Sequence, residues 1–75
     1  MRLFYYPETD SLYVELSERV SVDSVDIAPG VVVDFDEQGE VVGFDLDRAS
    51  ERFALNRLEV KDLPLRTLVA QSSET

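Results

Sequence analysis

The chain is short and acidic, with 75 residues and a net charge of −9 at pH 7. A chain of this length forms one domain, and its small core would be stabilised by association with another copy. It contains no cysteine and no histidine, which excludes disulfides, a thiolate nucleophile and the usual general base. We expect a single domain over residues 1–70, a polar tail over 71–75 and no cofactor.

The N-terminal residues 1–7 contain no long apolar run and reach a proline at Pro7. This pattern is that of neither a signal peptide nor a membrane span. We therefore expect a cytoplasmic protein with no membrane partner.

The charge is unevenly distributed. Residues 3–47 contain twelve acidic residues and one arginine, a net charge of −11, whereas residues 48–75 contain five basic and four acidic residues, a net charge of +1. An acidic surface repels phosphate, so a nucleic-acid partner is not expected. The mildly basic C-terminal region is expected to lie against acidic surface of its own or a neighbouring chain. The alternative is that acidity only keeps a small protein soluble.

The first part of the chain alternates between apolar and polar residues, which is typical of half-buried strands. A short aromatic run over 3–6 ends at Pro7, and residues 8–11 have turn-forming side chains. A second strand is indicated by Leu12, Val14 and Leu16. The phase of the alternation changes at residues 23–24, where we expect a bulge or a bend.

Residues 31–46 predict a β-hairpin with its turn near 37–39. Two alternating apolar sets can face one core only if the strands pair antiparallel; they are Val31, Val33 and Phe35, and Val42, Phe44 and Leu46. Gly43 has no side chain to pack, and it indicates a bulge or the close approach of another backbone.

After Leu46 the pattern becomes helical. Asp47 is a candidate N-cap for a short helix over 47–53, in which Ala49 and Phe53 would face the sheet. Residues 62–64 predict a second helix start, with an apolar face formed by Leu65, Leu68 and Val69. The expected fold class is therefore α+β: an antiparallel sheet of about four strands with the central hairpin 31–46, then a short helix and a C-terminal helical segment.

Four sequence motifs resemble a known family: Asp-Ser-Leu-Tyr-Val over 10–14, the run from Ala28 to Asp36, the run from Gly39 to Asp45, and Ala49-Ser50. Together they resemble the small bacterial family called domain of unknown function 2283. The resemblance implies a compact antiparallel sheet with a helix after the hairpin, and it implies no catalytic residues. Some relatives are encoded beside small toxin-like proteins, which implies an antitoxin-type role as one possibility. The chain continues past the common motifs, and the resemblance implies nothing about the part from Leu55 onward.

The carboxylates of the hairpin are candidates for metal binding or catalysis. Asp34, Asp36, Gly39 and Asp45 follow the spacing of a calcium loop, but Gln38 and Val42 replace ligands and strands replace the flanking helices. Acid–base catalysis by the carboxylates would need a buried group with a raised pKa, and alternation instead predicts a solvated outer face. We therefore expect these residues to serve the hairpin turn, and we expect no bound metal and no enzymatic activity. A carboxylate-based, metal-dependent hydrolase is the less favoured alternative.

Four of the seven aromatic residues lie within the first thirteen residues. Such side chains can pack across strands or form a tyrosine-rich protein interface. The candidate interface residues are Phe4, Tyr6, Tyr13, Arg57, Leu65 and Leu68. We expect a non-enzymatic protein-interaction or self-assembling module, most simply a homodimer. The alternative is an antitoxin-like neutraliser of a small basic protein.

Overall fold

The structure is a computed structural model that describes residues 1–71. Its elements, in chain order, are β1 (Arg2–Tyr6), β2 (Ser11–Glu15), β3 (Asp23–Ala28), β4 (Val31–Phe35), β5 (Val41–Leu46) and α1 (Ala49–Arg52). The fold is mostly β. The expected antiparallel sheet is present, but it has five strands instead of about four, because residues 23–28 form a complete edge strand despite their change of phase.

All five strands are antiparallel, in the order β1-β2-β5-β4-β3. The predicted hairpin is confirmed as β4 and β5, with Asp36 N–H donating to Glu40 O at 2.9 Å beside the turn. Strand β3 extends this hairpin on one side. The β1–β2 hairpin joins it on the other side through the pairing of β2 with β5.

Residues directly opposite each other in an antiparallel sheet share a face. On one face, two rows of mostly apolar side chains cross all five strands: Leu3, Val14, Phe44, Val33 and Val25 form one row, and Tyr5, Leu12, Leu46, Val31 and Ala28 form the other. We call this side the apolar face. The opposite side, the polar face, carries the row of Phe4, Tyr13, Asp45, Val32 and Asp26.

The sheet contains two irregularities. The register of β3 shifts between Asp26 and Ala28, so the bulge lies a few residues after the expected position at 23–24. A second shift makes Val42 an extra residue in β5, because Asp34 lies opposite Gly43 and Phe35 opposite Val41. The carbonyl of Val42 accepts hydrogen bonds from the N–H groups of Leu16 and Ser17, and this contact directs the chain as it leaves β2.

Gly43 satisfies both expectations made for it, since it adjoins the bulge and another part of the chain approaches it closely. A Cβ atom at this position would overlap the ring and hydroxyl of Tyr13, and it would lie 2.8 Å from the carbonyl oxygen of Val14. The space above Gly43 is therefore occupied by β2.

The helix α1 is a single turn, and it begins differently from the prediction. Asp47 does not cap it; the preceding residue Arg48 has a left-handed backbone with φ 48° and no side-chain cap. Asp10 takes the capping role from the β1–β2 turn, because its carbonyl accepts from Ala49 N–H at 2.8 Å and its carboxylate accepts from Ser50 N–H at 3.1 Å. Ala49 is fully buried as expected, whereas Phe53 lies just after the helix and is exposed.

The expected C-terminal helical segment is wrong, since residues 53–71 form neither helix nor strand. Asp62, at the expected helix start, adopts a left-handed backbone at φ 56°, and no helix follows it in the described residues. A short isolated helix also needs a surface on which to bury its apolar side, and Leu65, Leu68 and Val69 remain exposed. The expected tail over 71–75 lies outside the described residues except for Gln71. Among residues 1–71, no helix is long and apolar enough to cross a membrane.

We predict that Gly43→Ala destabilises the protein by about 1–3 kcal/mol, because the added methyl group must displace Tyr13 and the β2 backbone. Gly39→Ala is the matched control: Gly39 has φ +80° and open space around it, so alanine there meets only the backbone cost of about 1 kcal/mol. Urea unfolding measures both variants. A cost at Gly43 no larger than that at Gly39 would contradict the close approach.

Candidate functional site

The apolar face is incompletely covered. Among the described residues, the buried apolar side chains are only Val33, Val42 and Ala49. The outer strands leave Leu3 51% and Val25 43% exposed, and α1 is too short to form a second layer. A sheet with one apolar face ordinarily buries that face against another layer, so this face is the first candidate for a functional surface.

A groove of about 790 Å³ lies at the β1–β2 end of the apolar face. The sheet contributes Leu3, Tyr5 and Leu12 to its wall, and the opposite wall is the chain after α1, residues 53–58. The groove is open and mainly apolar, which suits protein side chains better than a charged ligand.

The polar face is held together by its own hydrogen bonds. Asp34 accepts from the hydroxyl of Tyr13 at 3.1 Å and from the hydroxyl of Ser24 at 2.6 Å, so one carboxylate links β2, β3 and β4. Burial, followed by the contact with Asp34, raises the pKa of Tyr13 above its usual range. Arg2 forms a two-pronged ion pair with Glu15, and its guanidinium lies 5.1 Å from the ring centre of Phe4.

Asp36 does not lie on the solvated outer face as expected from alternation; its exposed fraction is only 7%. Its carboxylate accepts from the backbone N–H groups of Gln38 and Glu40, both at 2.9 Å, and from Arg19 Nε at 2.6 Å. The backbone hydrogen bond from Glu40 is the largest of the interactions that lower the pKa of Asp36, and Gln38 and Arg19 lower it further. A catalytic acid needs the opposite shift, so this carboxylate organises the turn.

A third carboxylate joins two distant parts of the chain. Asp10 accepts from Tyr5 Oη at 2.6 Å and from Ser50 Oγ at 2.8 Å, and these hydrogen bonds, that from Tyr5 first, lower the pKa of Asp10. The same contact with Asp10 is the main cause that raises the pKa of Tyr5. Sequence reasoning treated Asp10 as a local turn residue. One feature of the sequence could have indicated this contact: Asp10 and Ala49-Ser50 both belong to the set of motifs that resembles the family.

The candidate interface residues do not form one patch. Phe4, Tyr6 and Tyr13 lie on the polar face, since Phe4 pairs with Tyr13 and Tyr6 with Ser11. Arg57 instead lines the groove on the opposite side of the sheet. Two further candidates lie on the exposed chain after the groove, Leu65 and Leu68. Leu3 of β1 and Val25 of β3 were not among the candidates, because alternation shows which residues share a side of a strand but not whether that side is covered.

The calcium-like spacing does not converge in space. Within residues 1–71, no group of three or more Asp, Glu, His or Cys side chains is arranged to hold a metal ion. Asp34 and Asp36 each accept hydrogen bonds from protein donors, and Asp45 lies between Tyr13 and Val32 on the polar face.

The fold and the surface define a small antiparallel-sheet protein with two different faces. The side chains of the polar face form hydrogen bonds and ion pairs with one another, and the apolar face is incompletely covered. The family model described as "Protein of unknown function (DUF2283)" matches residues 2–50, and the chain belongs to that family. The match covers all five strands and the start of α1. No curated protein and no solved structure matches the chain.

We predict that ionised Asp36 stabilises the protein at neutral pH and that this contribution disappears in acid. Its pKa is lowered on folding, from about 3.9 in an unfolded chain. The stabilisation is therefore complete above the unfolded pKa and is lost as the pH falls through the folded pKa. Asp36→Asn should lower the urea midpoint at pH 7, and its difference from the wild type should shrink below about pH 4.

Asp45→Asn is the control for this experiment. It removes the same charge from an exposed position in the same hairpin, and we expect little change in the urea midpoint at pH 7. An Asp36→Asn protein as stable as wild type at pH 7 would show that the turn does not depend on the carboxylate.

Proposed function

We propose that this protein is a non-enzymatic interaction module that self-associates through its apolar face, most simply as a homodimer. The observation that carries the proposal is the pair of rows that cross all five strands, with one face apolar and only three apolar side chains buried in residues 1–71. Packing two such faces together would supply the missing second layer. A cytoplasmic location is part of the proposal.

The charge distribution is compatible with contact between two copies of an acidic chain. Among the paired strand residues on the apolar side, only Asp23 is charged. The other acidic strand residues lie on the polar face, including Glu15, Asp26, Asp34 and Asp45. Two apolar faces can therefore meet while four of the five strand carboxylates point away from the contact.

We predict that Leu3→Lys weakens self-association by about tenfold or more, because it places a charge in the apolar contact. Val20→Lys is the matched control, since Val20 is 77% exposed in the loop between β2 and β3 and the charge change is the same. Sedimentation velocity over a concentration series measures both. A strictly monomeric wild type at high concentration, or equal effects of the two variants, would refute the proposed surface.

A second candidate function is antitoxin-like binding of a small basic protein by the polar face. The favouring observation is the concentration of Glu15, Asp26, Asp34 and Asp45 on that face. Such a surface attracts a cationic partner and accelerates its association. Basic nucleic-acid-cleaving toxins are one class of partner with suitable charge.

The two candidate functions predict opposite responses to salt. Screening weakens attraction between unlike charges, but it also reduces the net repulsion between two acidic copies. Raising the salt concentration should therefore strengthen self-association and weaken capture of a basic partner. Sedimentation measures the first response, and co-expression with the product of the neighbouring gene, followed by salt elution, measures the second. A neighbour that neither inhibits growth nor co-purifies would remove the antitoxin candidate.

A further inference from the structure

A short segment that begins in the groove wall has the alternation of a strand but no strand partner in the described structure. In residues 57–61, Glu59 forms ion pairs with Arg57 at 3.1 Å and with Lys61 at 3.8 Å. These contacts gather the three charged side chains on one side of the segment. The residues between them, Leu58 and Val60, are 71% and 46% exposed. We call residues 57–61 the arm.

The edge strand β3 has the complementary pattern. All six of its residues are exposed, and within residues 1–71 it pairs only with β4. Val25 lies on the apolar side, and Ser24 and Asp26 lie on the polar side, beside Asp34 of β4. An exposed edge of this kind presents unpaired backbone groups that can accept another strand.

We propose that the arm of one copy adds to β3 of a second copy as a sixth strand. Leu58 and Val60 then extend the apolar face next to Val25, and the cationic side chains extend the polar face next to Asp26. A register with Glu59 opposite Asp26 would place like charges together. Two registers avoid this and keep an apolar arm residue opposite Val25. If the arm runs antiparallel to β3, Arg57 lies opposite Asp26 and Leu58 opposite Val25. If it runs parallel to β3, Lys61 lies opposite Asp26 and Val60 opposite Val25.

The arm that pairs with β3 comes from a second copy, because the arm of the same chain begins at the opposite edge of the sheet, beside β1. Arg57 and Leu58 line the groove beside Leu3 and Tyr5 of β1, whereas β3 is the opposite edge strand. Four strand spacings, about 19 Å, separate the two edges. In a face-to-face dimer, a two-fold axis parallel to the strands sets the β1 end of each copy, with its arm, over β3 of the other copy.

This inference rests on the proposed self-association, and it adds the segment and the edge that complete the assembly. Both copies donate an arm and both accept one, so the arrangement closes as a symmetric dimer. Strand pairing with the arm covers the β3 edge, which would otherwise remain open to further pairing.

The test uses Val60→Pro, which removes one backbone donor and disfavours strand pairing, and Thr67→Pro as the control outside the arm. We expect Val60→Pro to weaken the dimer on the order of tenfold and to increase hydrogen exchange at the β3 amides. Thr67→Pro should change neither measurement. Equal effects of the two prolines, or β3 amides that exchange freely in the wild-type dimer, would overturn the arm pairing.

A mixing experiment distinguishes a partner's arm from the chain's own. Isotope-labelled Val60→Pro can accept an arm but cannot donate one, and unlabelled Asp26→Lys can donate one but accepts poorly. Adding the second variant should restore exchange protection in β3 of the first. If protection is not restored although the mixture is dimeric, the arm inference is wrong and the proposed self-association stands. If the wild-type protein is monomeric, the proposed function itself fails.

Discussion

The sheet depends on the contact between Tyr13 and Gly43. Because Gly43 has no side chain, the ring of Tyr13 lies against β5 and its hydroxyl reaches Asp34 on β4. Ser24 of β3 donates to the other oxygen of the same carboxylate. This chain of contacts runs from β2 to β3 across the polar face, and it joins the β1–β2 hairpin to the three-stranded part of the sheet in one fixed register.

The two faces of the sheet consequently differ in what they require. Polar side chains can satisfy one another within a single layer, and on the polar face Asp34, Tyr13, Arg2 and Glu15 do so. Apolar side chains cannot satisfy one another in this way within a single layer, because they stabilise a protein only when their apolar surface is removed from water. The apolar face therefore needs a second layer, and residues 1–71 supply only one turn of helix.

Three carboxylates in this strongly acidic chain have structural roles, although carboxylates are also the groups that catalysis and metal binding use. Asp36 organises the β4–β5 turn, Asp34 links strands, and Asp10 fixes the start of α1 from the opposite end of the chain. In each case the donors are backbone N–H groups, hydroxyl groups or an arginine. Acidic residues in regular spacing can thus indicate a network of caps and links as readily as a catalytic or metal site.

The sequence by itself determined the elements whose pattern is local. Alternation over 31–46 defined the hairpin and its facing residues, and the missing side chain of Gly43 indicated a close approach. Only the tertiary structure decided which strands are neighbours, that Asp10 caps α1, and that Asp36 is buried. It also showed that residues 53–71 form no helix, because a helix that short depends on a surface to pack against. Alternation could not show that the apolar face is incompletely covered. The two-residue period of a strand tells which side chains share a face of the sheet, but not what packs against that face.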